Sequence, residues 1–130
     1  MSRASLIAVV DDDVSVRESL PGLLSTFGLS ATAFDSARAF LDSATLAATN
    51  CLLLDIEMPG MTGPELLLEL ARRRMQIPVV FITAHASEEV RLALLRQGAV
   101  ACLSKPFTEA ALIDALRKAL PGTSPDGRGR

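Results

Sequence analysis

Five short apolar runs, separated by longer amphipathic stretches, constrain this chain more than any other feature. They are Leu6–Val10, a weaker Ser30–Phe34, Cys51–Leu54, Pro78–Ile82 and Val100–Leu103. Runs this short read as strands. Their lack of strict alternation suits parallel strands covered on both faces. The intervening segments carry helical spacing. Val16, Leu20, Leu23, Leu24 and Phe27 share one face, with Gly28 as a stop. Ser36 can cap a short helix through Ala44. Gly63-Pro64 opens a helix in which Leu66, Leu67 and Leu70 align, Pro being tolerated where its missing N–H would be unpaired anyway. Ser87, with Glu88 and Glu89, starts a helix ending near Gly98. Thr108 and Glu109 start the last, along which Leu112, Ala115, Leu116 and Ala119 line up.

Strands alternating with helices predict an α/β fold with a parallel sheet and right-handed crossovers. The length of 130 residues suits one domain, expected over 1–120, with 121–130 as a flexible tail or linker stub rich in Pro, Gly, Ser and Thr. One local conflict stands out. Pro21-Gly22 falls inside the first helical pattern, where Pro removes a hydrogen bond and crowds the preceding turn, so a kink or local break is expected near Arg17–Pro21.

Charge narrows the partners. A net charge of −2 offers no basic excess for nucleic acid or an anionic membrane, so direct DNA binding by this chain is not expected. No segment approaches the ~18 apolar residues of a membrane span, and Met1–Val10 lacks the core and cleavage site of a signal peptide. The chain reads as cytoplasmic. Cys51 and Cys102, far apart in apolar contexts, read as buried free thiols rather than a disulfide or metal site.

In a parallel α/β sheet, ligands bind at the carboxyl ends of the strands. There the sequence places Asp11, Asp12 and Asp13 after the first run, Asp55 after the third, Thr83 after the fourth and Lys105, followed by Pro106, after the fifth. Taken singly, each has an ordinary reading: a solvated loop whose last Asp caps a helix, a loop carboxylate, a turn-capping Thr, a surface Lys. Their joint occurrence at strand ends carries the argument. Converging carboxylates repel and raise one another's pKa unless a cation is present. Oxygen-only ligands suit Mg²⁺. A carboxylate can attack phosphorus to give an acyl phosphate. A lysine ammonium can then add positive charge to the transferring group, and a threonine hydroxyl can hydrogen-bond a phosphoryl oxygen.

The runs VVDDD (Val9–Asp13), LLLDIEMPGMTG (Leu52–Gly63), FITAH (Phe81–His85) and LSKPF (Leu103–Phe107) resemble the receiver domain of two-component response regulators, the CheY-like family. The resemblance covers about Leu6 to Leu120. It implies a (βα)5 doubly wound, flavodoxin-like fold with strand order 2-1-3-4-5. It implies phosphorylation of Asp55 by a sensor histidine kinase and a conformational switch that controls an output. Asp12 would ligate Mg²⁺ directly and Asp11 directly or through water, with Asp55 and the main-chain carbonyl of Glu57 completing the set. Thr83 would be the switch hydroxyl, Lys105 would contact the phosphoryl group, and Lys105–Pro106 would be cis. Glu57 and His85 would flank the path of the hydrolytic water and tune the acyl phosphate's lifetime. The resemblance further implies a possible homodimer through the fourth helix, fifth strand and fifth helix. It hints at a DNA-binding output domain outside this chain. One departure is Cys102, where the family usually carries Tyr or Phe. A thiol has no ring to swing, so Thr83 and the following loop are expected to carry the signal, with Cys102 staying mostly buried.

Other readings fit less well. A haloacid-dehalogenase-type phosphatase wants a second Asp where Glu57 stands, and room for a substrate cap. A nucleotide-binding domain wants a Gly-rich loop after the first strand. A degenerate receiver would lack Asp55 or Lys105; both are present. The chain is therefore expected to be a signalling module and not an enzyme with an external substrate.

Overall fold

The computed structural model describes residues 5–120, so the tail expected at 121–130 lies outside the described residues. Five strands, β1 (Leu6–Val10), β2 (Ser30–Phe34), β3 (Cys51–Asp55), β4 (Val79–Thr83) and β5 (Ala101–Ser104), alternate with five α-helices. These are α1 (Val14–Thr26), α2 (Ala37–Leu41), α3 (Gly63–Arg72), α4 (Glu88–Arg96) and α5 (Glu109–Ala119). All neighbouring strands pair in parallel, in the order β2-β1-β3-β4-β5. The flavodoxin-like expectation is met.

The period-2 geometry of a strand explains why the apolar runs show no alternation. Ile7, Val9, Cys51, Leu53, Val80 and Ile82 pack on one face against Leu20 and Leu24 of α1 and Leu112 and Leu116 of α5. Ala8, Val10, Leu52, Leu54, Val79 and Phe81 pack on the other against Phe40 of α2, Leu66 and Leu70 of α3 and Leu94 of α4. Each central strand is thus apolar up to its carboxyl end because both of its faces are covered.

The helix starts follow hydrogen-bonding chemistry. Asp13, Ser36, Thr62, Ser87 and Thr108 each accept a backbone N–H at the head of their helices, an arrangement typically worth ~1 kcal/mol. Thr62 and Glu65 complete a reciprocal capping box. Gly28 adopts a φ of 82° after α1 and Gly98 one of 110° after α4, the left-handed stops their positions suggest.

Two local expectations are corrected. Of the kink or local break expected near Arg17–Pro21, the break is absent: helix α1 runs unbroken through Pro21. Buried Leu20 and Leu24 clamp the turns on either side of Pro21 to the sheet, and this packing outweighs the one backbone bond that Pro removes. The helix capped by Ser36 ends at Leu41 rather than reaching Ala44. A short 3-10 turn, Leu46–Ala48, follows before β3, with Thr49 Oγ1 donating to the Thr45 carbonyl. No described helix is long and apolar enough to cross a membrane.

Candidate functional site

The sheet register brings the strand-end residues together. Val10 pairs with Leu54, Asp55 with Ile82 and Thr83 with Ser104. One residue beyond these pairs, Asp11 comes beside Asp55, and Lys105 beyond Thr83. The backbone extends the ladders there: Asp11 N–H donates to Phe34 O (3.1 Å) and Lys105 N–H to Thr83 O (2.7 Å). The Lys105–Pro106 peptide is cis, as the resemblance implied.

Asp12, Asp13, Asp55, Glu57, Thr83, Ala84, His85 and Lys105 line a cleft of about 380 Å³ at this edge. Asp11 lies beneath it, fully buried. Carboxylate oxygens of Asp11, Asp12 and Asp55 all lie within 4.8 Å of one another. Lys105 Nζ reaches across to Asp11 Oδ2 at 2.9 Å. That oxygen is buried and accepts no well-directed hydrogen bond, so the ammonium is its counter-charge. Asp11 Oδ1 accepts from Asp13 N–H (2.9 Å). Asp13 in turn caps α1 through Ser15.

The electrostatics follow from the crowding. Burial pushes the Asp55 carboxyl up to about 7, the Asp11 charge adds to the rise, and Lys105 opposes it. Burial works against the Lys105 ammonium, but its contact with Asp11, reinforced by Asp55 and Asp13, wins and raises it. Ser15 hydrogen bonds hold Asp13 below the usual carboxylate range. An all-oxygen donor set, a buried carboxylate oxygen without a directed donor and an Asp55 carboxyl raised by burial and by the Asp11 charge all fit a hard cation. The three-aspartate cluster can hold such a metal, at the positions expected from the sequence.

Thr83 is buried, and its hydroxyl is engaged by its own loop. It donates to His85 O and accepts from His85 N–H, each at 3.2 Å. Glu57 and His85 are exposed on the rim. Cys51 is fully buried, which pushes its thiol up to about 12. Cys102, expected to be mostly buried, packs against the core on the α3–α4 side of the sheet and keeps partial exposure. It lines a groove of about 240 Å³ with Arg91, Leu95, Asp114 and Lys118. That partial exposure comes from its place on β5, which has no neighbour beyond it among the described strands.

Two residues at the site were not singled out for it from the sequence. Arg17 Nη1 donates to the Asp11 carbonyl (2.9 Å); its place four residues after the capping Asp13, within reach of the loop before α1, is the signal that could have found it. Gly63 packs its Cα against the site: a Cβ there would lie 2.2 Å from Asp55 O and 2.9 Å from Phe81 Cε1. By sequence Gly63 is a helix opener, although its place at the end of the loop that follows Asp55 hints at a close backbone approach.

Residues 7–117 match the family profile described as the response regulator receiver domain. The chain is 42% identical over 115 residues to Nodulation protein W of Bradyrhizobium diazoefficiens, covering 88% of this chain and 51% of that protein. It is 40% identical over 122 residues to the transcriptional regulatory protein FixJ of Azorhizobium caulinodans, covering 94% and 58%. A solved structure of the response regulator StyR superposes with a TM-score of 0.81 at 42% identity, covering 90% of this chain and 59% of that one. The chain spans about half the length of the curated relatives it matches. With the profile spanning nearly all of the described residues, the chain belongs to the response regulator receiver domains, the phosphorylation-activated signalling modules of two-component systems.

Proposed function

We propose that Asp55 accepts a phosphoryl group from the phosphohistidine of a sensor histidine kinase, in a Mg²⁺-dependent reaction, and that the domain then switches to control an output. The observation that carries this reading is the convergence of Asp11, Asp12 and Asp55 within 4.8 Å, with the Lys105 ammonium in contact with Asp11.

Asp11 and Asp12, with Asp55 itself and the main-chain carbonyl of Glu57, would hold Mg²⁺. The ion supplies positive charge against the three carboxylates and the phosphoryl oxygens. An Asp55 oxygen attacks phosphorus, the phosphorus–nitrogen bond to the donor imidazole breaks, and its electron pair stays on that nitrogen. Lys105 leaves Asp11 Oδ2 and neutralises a phosphoryl oxygen. Thr83 gives up its contacts with His85 and donates its hydroxyl to another phosphoryl oxygen. Since Thr83 O–H is bonded to the His85 backbone in the resting arrangement, its departure frees the start of the β4–α4 loop. The signal thus passes through Thr83 and that loop, with Cys102 providing no ring to report it. Glu57 and His85 tune the hydrolytic water from the rim, so the domain assists both gain and loss of its phosphoryl group while turning over no external substrate.

The partners follow from the same reading. The sensor kinase docks over the cleft. Helix α4, with Val90 and Leu92 exposed, forms with β5 and α5 the surface for an activated homodimer. The relatives' extra length and the naming of one as a transcriptional regulator support a DNA-binding output domain outside this chain. Incubation with acetyl phosphate and Mg²⁺, followed by intact mass, tests the reaction. One phosphoryl group should be gained, and lost with a chelator. An adduct formed equally well without Mg²⁺ would overturn the proposal.

A further inference from the structure

Asp11 is the most constrained residue of the site. It is fully buried, with hydrogen bonds at three of its four polar atoms and an ion pair at the fourth. Its N–H donates to Phe34 O, its Oδ1 accepts from Asp13 N–H, and its Oδ2 faces Lys105 Nζ. Its carbonyl stands past the last β1–β3 pair and accepts instead from Arg17 Nη1 at 2.9 Å. That carbonyl belongs to the peptide plane joining Asp11 to Asp12. Arg17 therefore holds the hinge between a buried carboxylate and an exposed one, and both contribute to the acidic cluster. Arg17 is itself anchored, since its N–H closes the first turn of α1 on Asp13 O. The aspartates are gripped on both sides, by the Asp13 cap and by the Arg17 side chain.

We propose that Arg17 is a positioning residue for the acidic pocket. By fixing the Asp11–Asp12 peptide plane it aims the Asp12 carboxylate at the place shared with Asp11 and Asp55, and so sets the affinity for a divalent cation. This rests on reading those aspartates as the metal-holding residues. A planar guanidinium on a carbonyl fixes direction as well as charge, so lysine is an imperfect substitute.

The test compares wild type with Arg17→Met, which keeps the apolar stem and removes the donors, and with Arg17→Lys. Calorimetric titration with Mg²⁺ should show about tenfold or weaker affinity in Arg17→Met, as when outer partners of metal ligands are removed, and an intermediate value in Arg17→Lys. In acetyl phosphate labelling the loss should lie in the Mg²⁺ concentration required rather than in the maximal rate. Metal-free hydrogen exchange gives an independent readout. The Asp13 amide, bonded to Asp11 Oδ1, should exchange faster in Arg17→Met while the amide of Leu53 in β3 stays protected. Wild-type Mg²⁺ affinity in Arg17→Met overturns the proposal. So does uniform acceleration of Asp13 and Leu53, which marks general destabilisation. If wild type itself fails to bind Mg²⁺, the metal reading fails, and unchanged Asp13 exchange in both variants would then dispose of Arg17's role separately. Should Arg17→Met not fold, Arg17→Lys carries the same comparison.

Discussion

Replacing Gly63 with alanine would place a Cβ 2.2 Å from the carbonyl oxygen of Asp55, 3.1 Å from its carbonyl carbon and 2.9 Å from Phe81 Cε1. Ordinary contacts begin at 3.4 Å, and two of the three neighbours are backbone atoms at the end of a buried strand. No rotamer change can relieve them. The β3 end and the α3 start must part by roughly 1 Å, which puts the cost at the upper end of overpacking, about 3 kcal/mol. For a domain of this size that lowers Tm by roughly 10 °C. The same shift moves Asp55, and a displacement of about 1 Å at a reacting group can slow chemistry ~100-fold. Scanning calorimetry and a time course of acetyl phosphate labelling read the two effects. Gly22→Ala is the control: nothing lies within 4 Å of its Cβ and it sits inside α1, so it should raise stability by about 0.5–1 kcal/mol. If Gly63→Ala melts and labels like wild type, the close approach is not what this position requires.

Other perturbations separate the parts of the site. With Asp55 raised to about 7 in the fold and near 3.9 when unfolded, the native state retains a proton between those values that the unfolded chain has released; metal-free stability relative to Asp55→Asn should fall as pH rises across that window, and level off above it. Mg²⁺ competes with that proton, so its stabilising effect should grow from acid to mildly alkaline pH, as melting with and without chelator would show; a constant effect contradicts the coupling. Lys105→Met leaves Asp11 Oδ2 buried without its cation and should cost about 3 kcal/mol without metal. Mg²⁺ should recover more of that loss than it adds to wild type, again measured by melting. Thr83→Val removes the hydroxyl bonded to His85 but keeps a branched side chain; Asp55 should still be labelled, while the phosphorylation-dependent change in oligomeric state seen by light scattering is lost.

Much of the fold and the site was legible because one physical rule served both. A doubly covered strand must be apolar along its length, so the first polar residue after it marks the sheet edge. Asp11, Asp55 and Thr83 stood out in this way, and Lys105 nearly so, one residue beyond Ser104 of β5. Local hydrogen-bonding chemistry likewise marked Ser36, Ser87 and Thr108 as helix starts. What was not legible depended on tertiary packing. Pro21 argues locally for a break, yet Leu20 and Leu24 hold the helix to the core on both sides of it. The partial exposure that Cys102 keeps follows from β5 being an edge, which no composition of the run 100–103 reveals. The grip of Arg17 on Asp11 and the contact of Gly63 with Asp55 both end on main-chain carbonyls, which are the same for every residue, so the side-chain chemistry of Asp11 and Asp55 carries no trace of either.

The most direct test is to locate the phosphoryl group. Borohydride reduction of the protein labelled with acetyl phosphate and Mg²⁺ converts an aspartyl phosphate to homoserine, and peptide mapping then identifies the residue. Homoserine at position 55, absent in Asp55→Asn, is the result expected. Homoserine at position 11, 12 or 13, or a stable label on His85, would contradict the assignment of Asp55.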